Sequence, residues 1–144
     1  MRVFTGDKLG KVHVLRIDAG EYLLESIEEF IKAKNINNAV VISAIGTLDY
    51  CVMHMVTTTG FPPQEYFRKW DDEPLEISSI DGIIADGSAH FHMTVSDEKI
   101  ACAGHLEPGC RILYLCEVVI AEMDGFNFRR EKNERNINQL VDKK

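Results

Sequence analysis

The sequence predicts an α+β fold: a largely antiparallel, barrel-like sheet with one main helix, in a single domain spanning residues 1–144. Three observations predict it. One stretch repeats its apolar residues at the helical period. Most of the remainder is β-branched or alternating sequence. Asp-Gly and Pro-Gly pairs divide those runs at hairpin-like intervals. At 144 residues, with 45% hydrophobic and 27% charged residues, the chain suits one domain around one core.

Taken in order, Val12, Val14 and Ile17 mark an opening strand that Gly20 breaks. Over residues 21–34 the period changes. Leu23, Leu24, Ile27, Phe30 and Ile31 share one helical face, while Glu25, Glu28, Glu29, Lys32 and Lys34 fall elsewhere. Asn35, Asn37 and Asn38 end this helix. Residues 39–45 read as a buried strand and 48–59 as another, with Gly46 between them. Residues 60–74 hold three of the four prolines and the only tryptophan, Trp70, and read as a long irregular connection, a kind of loop that is often functional. Residues 75–85 form a strand in which Asp81-Gly82 signals a bulge or tight turn. Asp86-Gly87 is a turn, and 89–95 with 100–106 forms a hairpin. Pro108-Gly109 leads into a long apolar strand, 111–123, and Asp124-Gly125 into a short one, 126–130. Residues 131–144 read as a polar C-terminal tail of weak helical character. There is no internal repeat and no low-complexity segment.

The formal net charge of −7 counts against DNA binding by this chain alone, because non-specific affinity comes mainly from phosphate neutralisation. The densest basic cluster, Arg129-Arg130-Glu131-Lys132, is interrupted by an acid. No apolar run reaches transmembrane length, and residues 1–8 lack the apolar stretch of a signal peptide, so no membrane partner and a cytoplasmic location are expected. The four cysteines form no C-x-x-C pair. Cys51, Cys102 and Cys116 read as small apolar strand residues in a reducing compartment, and a thiolate-ligand role for Cys102 or Cys110 is the minor alternative.

The candidate site is His90-Phe91-His92 with His105 thirteen residues on. Side chains alternate across a strand, so His90, His92 and Thr94 take one face, and Phe91, Met93 and Val95 the other. A symmetric turn through Ser96-Asp97-Glu98-Lys99 would pair Val95 with Ile100, Met93 with Cys102, Phe91 with Gly104 and Ala89 with Leu106. That register keeps the core face apolar, and it sets His105 directly across from His90 and diagonal to His92. Three neutral imidazoles with an open fourth position make a reactive site for a divalent metal, zinc first among them, able to bind water or a small anionic ligand. An H-x-H pair on a half-exposed strand is also compatible with plain polar surface. Asp-Glu, moreover, is not a favoured two-residue hairpin pair, and a one-residue bulge would move His105 off the face.

Glu117 lies inside an apolar strand, residues 112–120, where an unpaired buried carboxylate would be costly. It is a candidate fourth ligand, catalytic base or acceptor for a histidine N–H; equally, the strand leaves the core there and Glu117 meets solvent. His13 and His54 read as isolated, satisfied histidines, and Trp70 with Tyr66, Phe67 and Arg68 as a loop anchored by its aromatics. The sequence has no glycine-rich phosphate loop, no G-x-S-x-G elbow and no recognisable Cys–His nucleophile pair.

Several blocks together resemble the PPC ("plants and prokaryotes conserved") domain: 42–48 (Ile-Ser-Ala-Ile-Gly-Thr-Leu), 74–82 (Pro-Leu-Glu-Ile-Ser-Ser-Ile-Asp-Gly), His90-Phe91-His92, 103–110 (Ala-Gly-His-Leu-Glu-Pro-Gly-Cys) and 116–120 (Cys-Glu-Val-Val-Ile). The resemblance spans nearly the whole chain, and the Gly104-His105-Leu106 block is its most specific part. It implies a stand-alone α+β domain of the prokaryotic type, usually a homotrimer. Plant members join this domain to AT-hooks that bind the DNA minor groove, and a DNA-binding label extends to prokaryotic members by that association. This chain has no Arg-Gly-Arg-Pro-type AT-hook. The fold is also similar to that of acetolactate decarboxylase, a zinc enzyme whose H-x-H plus later histidine maps onto His90, His92 and His105. Fold similarity does not carry that activity over. The resemblance leaves three functions open: a homotrimeric metal-binding domain acting on or binding a small molecule, a DNA-associated regulator working through an assembly, or a structural trimerisation module.

Overall fold

The helical period resolves as α1 (Leu23–Lys34), with Leu23, Leu24, Ile27 and Ile31 buried along one face. In this computed structural model, which describes residues 1–143, Tyr22 provides no side-chain cap. The helix start is instead held by the strand beneath it: Leu23 N–H donates to Cys110 O at 2.8 Å and Gly20 N–H to Ile112 O at 2.9 Å. Asn35 ends the helix in the left-handed conformation (φ 54°), and its N–H turns back onto the carbonyls of Ile31 and Lys32.

The remaining elements are strands: β1 (Lys8–Asp18), β2 (Asn38–Val56), β3 (Glu65–Ala85), β4 (Ser88–Ser96), β5 (Ala101–Leu106), β6 (Arg111–Asp124), β7 (Phe128–Lys132) and β8 (Asn138–Asp142). Every pairing is antiparallel. Among the described residues the main sheet has the order β1-β6-β2-β3-β4-β5, and β5 returns to pair with β2. The sheet is therefore ring-like through β2-β3-β4-β5. β2 makes this possible by its length. Its first half pairs with β6 and its far end with β5, through Met53↔Leu106 and His54↔His105.

Inside the ring and beneath α1 lies the core, which includes Leu48, Met53, Trp70, Phe91, Met93, Leu106, Ile112 and Ile120. Burying each such side chain is worth about 1.5–3 kcal/mol. Two glycines allow the strands to approach. A Cβ at Gly104 would sit 2.8 Å from the His54 carbonyl oxygen, so only glycine lets β5 close onto β2 here. Gly82 (φ 148°) lies where a Cβ would meet the His90 carbonyl oxygen at 2.1 Å.

Three expectations are corrected. Residues 60–74 are not one long loop, because β3 already begins at Glu65 and Trp70 is buried within it. Pro74 is accommodated at an irregularity: the register jumps between Leu48↔Leu75 and Tyr50↔Asp71, and Asp72 takes φ 56°. A proline without an N–H is tolerated at such a bulge. Residues 39–59 are not two strands, since β2 runs through Gly46. The C-terminal segment is not helical, because β8 pairs with β7 to form a two-stranded ribbon. Asn133 shapes its turn, with Oδ1 accepting from the N–H groups of Arg135 (2.9 Å) and Ile137 (3.0 Å).

Candidate metal centre

The β4–β5 hairpin is closed by a four-residue loop in which the carboxylate of Asp97 takes the orphaned donors. Its Oδ1 accepts from Lys99 N–H at 2.6 Å and from Ile100 N–H at 2.8 Å. This loop shifts the register by two residues from the one expected, giving Ser96↔Ala101, Val95↔Cys102, Met93↔Gly104 and His92↔His105. An even shift preserves the faces, so the apolar residues stay inward and the histidines outward, but His105 sits across from His92 rather than His90.

His105 also pairs with His54 on β2. Three imidazoles thus lie in one row across β2, β5 and β4, with His90 two residues further along β4. The ring centroids of His90, His92 and His105 are separated by 5.0 Å (90–105), 5.6 Å (90–92) and 5.6 Å (92–105). His54 stacks on His105 at 4.5 Å with 24° between the planes, and Phe67 packs on it at 5.3 Å. The site is an open face, with His54, His90 and His105 half-buried and His92 exposed.

A carboxylate ties two of the rings together. Glu107 Oε1 accepts from His54 Nδ1 at 2.5 Å and from His105 Nδ1 at 3.0 Å. A carboxylate oxygen only accepts, so each Nδ1 carries a proton, and in His105, whose burial favours the neutral ring, Nε2 keeps its lone pair. Ligand atoms of His54, His105 and Glu107 lie within 4.8 Å of one another, a spacing that could hold a metal ion. His54 Nε2 faces Glu65, 4.0 Å away. Sequence reasoning missed both His54 and Glu107. The spacing His105-x-Glu107 was a usable signal, since it puts both residues on one face, whereas the β2–β5 closure that brings in His54 has no local signature.

Burial, followed by the charge of Arg130, pushes His90 down from 6.5 to about 4. Burial and the neighbouring His54 likewise lower His105, against an opposing pull from Glu107. Both rings are therefore neutral at pH 7, the state in which imidazole binds a metal.

Glu117 is not brought to this cluster. It is exposed on β6, paired with Arg16 and Ile45. Ile45 lies nine residues before His54 on β2, roughly 30 Å of extended strand. Leu115 and Glu117 both face outward because β6 directs its alternate residues, Cys116 and Val118, into the core. His13 is satisfied, as expected, by Glu122 at 2.8 Å.

A family model described as the Plants and Prokaryotes Conserved (PCC) domain matches residues 5–124. The chain belongs to that family. The bifunctional protein GlmU of Synechococcus sp. (strain JA-2-3B'a(2-13)) is 29% identical over 122 residues, which cover 84% of this chain but 18% of that protein. The chain thus spans less than a fifth of the length of the curated relative it matches. Solved structures match over nearly the full length of both chains. The metal-containing protein AF0104 from Archaeoglobus fulgidus superposes with a TM-score of 0.82 at 27% identity, covering 99% of this chain and 100% of its own. A plant- and prokaryote-conserved (PPC) protein of Pyrococcus horikoshii shares the fold, with a TM-score of 0.79 at 21% identity over 100% and 98% of the two chains.

The donor chemistry of this PCC domain fits a divalent cation. An ion held tetrahedrally about 2.0–2.1 Å from three ring nitrogens sets the ring centroids roughly 5 Å apart. The ring centroids of His90, His92 and His105 stand at 5.0–5.6 Å, while the trio whose ligand atoms lie within 4.8 Å of one another is His54, His105 and Glu107. The near-parallel stack of His54 on His105 is less suited to aiming both rings at one point. Glu107 stands as the carboxylate behind His105, the arrangement that fixes tautomer and ring orientation in histidine metal sites.

Proposed function

We propose that this PCC domain holds one divalent cation, zinc by its donor set, on His90, His92 and His105, and presents it to a small molecule on the outer face of the sheet. The observation that carries the reading is the convergence of three imidazoles, with His90 and His105 held neutral, at the centroid spacing a single tetrahedral ion requires. Glu107 is the positioning residue, holding His105 by its Nδ1 and bracing the flanking His54. It takes the carboxylate part that the sequence suggested for Glu117. The description of the Archaeoglobus relative as metal-containing supports the reading. A cation bound there would supply Lewis-acid polarisation of a ligand oxygen.

The assembly proposed is a homotrimer. Exposed apolar residues on the outer sheet face supply a surface for it: Val12 and Val14 on β1, and Ile42 and Ile45 on β2, linked across β6 by Val14↔Val119 and Val119↔Ser43.

Zinc titration of untagged, metal-free protein tests the metal reading. The expected result is one zinc per chain, lost on His90→Ala or His105→Ala and retained by His54→Ala. Loss with His54→Ala and retention with His90→Ala would move the ion onto His54, His105 and Glu107 and overturn the ligand set.

A further inference from the structure

The first part of β3 has a neighbouring strand on one side only. β4 pairs with β3 from Glu76 onwards, so residues 65–71 are held by β2 alone. The backbone pattern of β2 shows which groups this leaves free. Val52 turns away from β3: its C=O accepts from Glu107 N–H at 3.2 Å, and its N–H donates to Cys110 Sγ at 3.3 Å. Successive residues of a strand direct their backbone groups to opposite sides, so Cys51, Met53 and Met55 face β3, opposite Trp70, Arg68 and Tyr66. Thr57 N–H continues the same phase by donating to Gln64 O at 2.9 Å. Tyr66, Arg68 and Trp70 therefore direct their N–H and C=O groups to β2. Glu65, Phe67 and Lys69 turn theirs to the open edge, and among the described residues no other segment bonds to them.

Unpaired backbone groups in a row are a template for another strand. The side chains here are exposed, with Tyr66 56% and Phe67 52% in water and Glu65 and Lys69 exposed beside them. Their order makes the edge complementary to itself. Two copies set antiparallel about a two-fold axis at Phe67 bring Phe67 opposite Phe67 and Glu65 opposite Lys69, twice. Every edge-directed residue then meets another edge-directed residue, so the N–H and C=O groups of all three are satisfied in both copies. Opposite charges face each other on either side of the aromatic pair. The neighbouring registers lack this match. Centred on Arg68, Glu65 meets the like charge of Asp71. Centred on Tyr66, Lys69 meets Pro63, which has no N–H to give.

We propose that residues 65–71 of β3 form an isologous contact with a second copy of this chain, antiparallel and in the register that sets Glu65 against Lys69. The contact uses a different strand from Val12, Val14, Ile42 and Ile45, so it doubles any assembly made through that outer face. It also brings two histidine clusters into one surface, because Phe67 packs on His54 at 5.3 Å and His54 on His105 at 4.5 Å. The contact needs no metal, and its failure would leave the metal reading untouched.

Sedimentation equilibrium of the full chain, with hydrogen exchange at single amides, tests this on wild type, Lys69→Glu, Glu65→Lys and the double exchange Glu65→Lys/Lys69→Glu. Wild type is expected to hold an even number of chains, each single variant half that number, and the double exchange the wild-type number again. The amides of Phe67 and Lys69 are expected to exchange at least tenfold more slowly in wild type than in the single variants. An odd-numbered wild type, single variants of unchanged mass, or a double exchange that does not recover would each overturn the contact. Fast exchange at Phe67 and Lys69 in an even-numbered wild type would place the doubling elsewhere and overturn it too. Thermal melts check that the variants fold. If a single variant loses its cooperative melt, wild type decides: an even number with slow exchange at both amides supports the contact, and fast exchange overturns it.

Discussion

Replacing Glu107 by Gln probes whether a carboxylate behind the histidines orients them or only neighbours them. One oxygen of Glu107 accepts from both His54 Nδ1 (2.5 Å) and His105 Nδ1 (3.0 Å). Gln keeps an acceptor oxygen but loses the charge. A hydrogen bond to a charged acceptor contributes about 1.5–3 kcal/mol and a neutral one about 0.5–1.5, so each bond weakens by about 1–1.5 kcal/mol. Two bonds together give roughly 2–3 kcal/mol. Glu107 keeps 22% of its side-chain surface in water, which reduces this towards 1.5–2 kcal/mol, about 10–30-fold in affinity. That lies inside the 10–100-fold range typical of carboxylates that support a metal-binding histidine. Protonation does not compensate at pH 7, because removing Glu107 withdraws an influence that raises His105 and leaves that ring still more firmly neutral. The assay is competition for zinc with a chromophoric chelator at pH 7.5, alongside thermal melts of the metal-free proteins. Glu107→Gln is expected to bind zinc 10–30-fold more weakly at unchanged stoichiometry, with the metal-free melt lowered by about 3–8 °C because the same bonds weaken there. Affinity within twofold of wild type would refute the orienting role, and loss of stoichiometric binding would show that Glu107 is itself a ligand.

The other predictions concern the fold, pH and DNA. His90 takes its proton near 6.5 when unfolded and near 4 when folded, so the unfolded chain binds more protons between those values. Stability of the metal-free protein is therefore full above pH 6.5 and declines as pH falls towards 4. His90→Gln should flatten that slope in urea titrations, and an unchanged slope would contradict the assignment. Gly104→Val puts a Cβ 2.8 Å from the His54 carbonyl and should destabilise the chain by about 1–3 kcal/mol, lowering zinc affinity as β5 separates from β2. A urea midpoint equal to wild type would show that the seam yields freely. With a net charge of −7, the chain alone should give no mobility shift with duplex DNA even at low salt, and a salt-sensitive complex would count against the charge argument.

What sequence reveals here depends on whether the determinant is local. α1 was legible because its buried face and Asn35 stop lie within fourteen residues. The outward face shared by His90, His92 and His105 was legible because strand alternation survives an even register shift. The register itself was not, since it hangs on one carboxylate, that of Asp97, choosing to close the loop with its own side chain. Prolines misled in β3, where Pro74 marks a bulge within a strand rather than a loop. Glu117 drew attention because its neighbours in sequence are apolar, yet β6 directs Leu115 outward with it. His54 was invisible for the opposite reason: its partners lie some fifty residues away and meet it only when the ring closes.

The central claim is tested most directly by elemental mass spectrometry of protein purified without a histidine tag, wild type against His92→Ala. The account predicts about one zinc or other divalent ion per wild-type chain after exposure to metal, and its loss in the variant. A wild-type chain without metal after incubation with zinc, or a variant that keeps its metal, would contradict it.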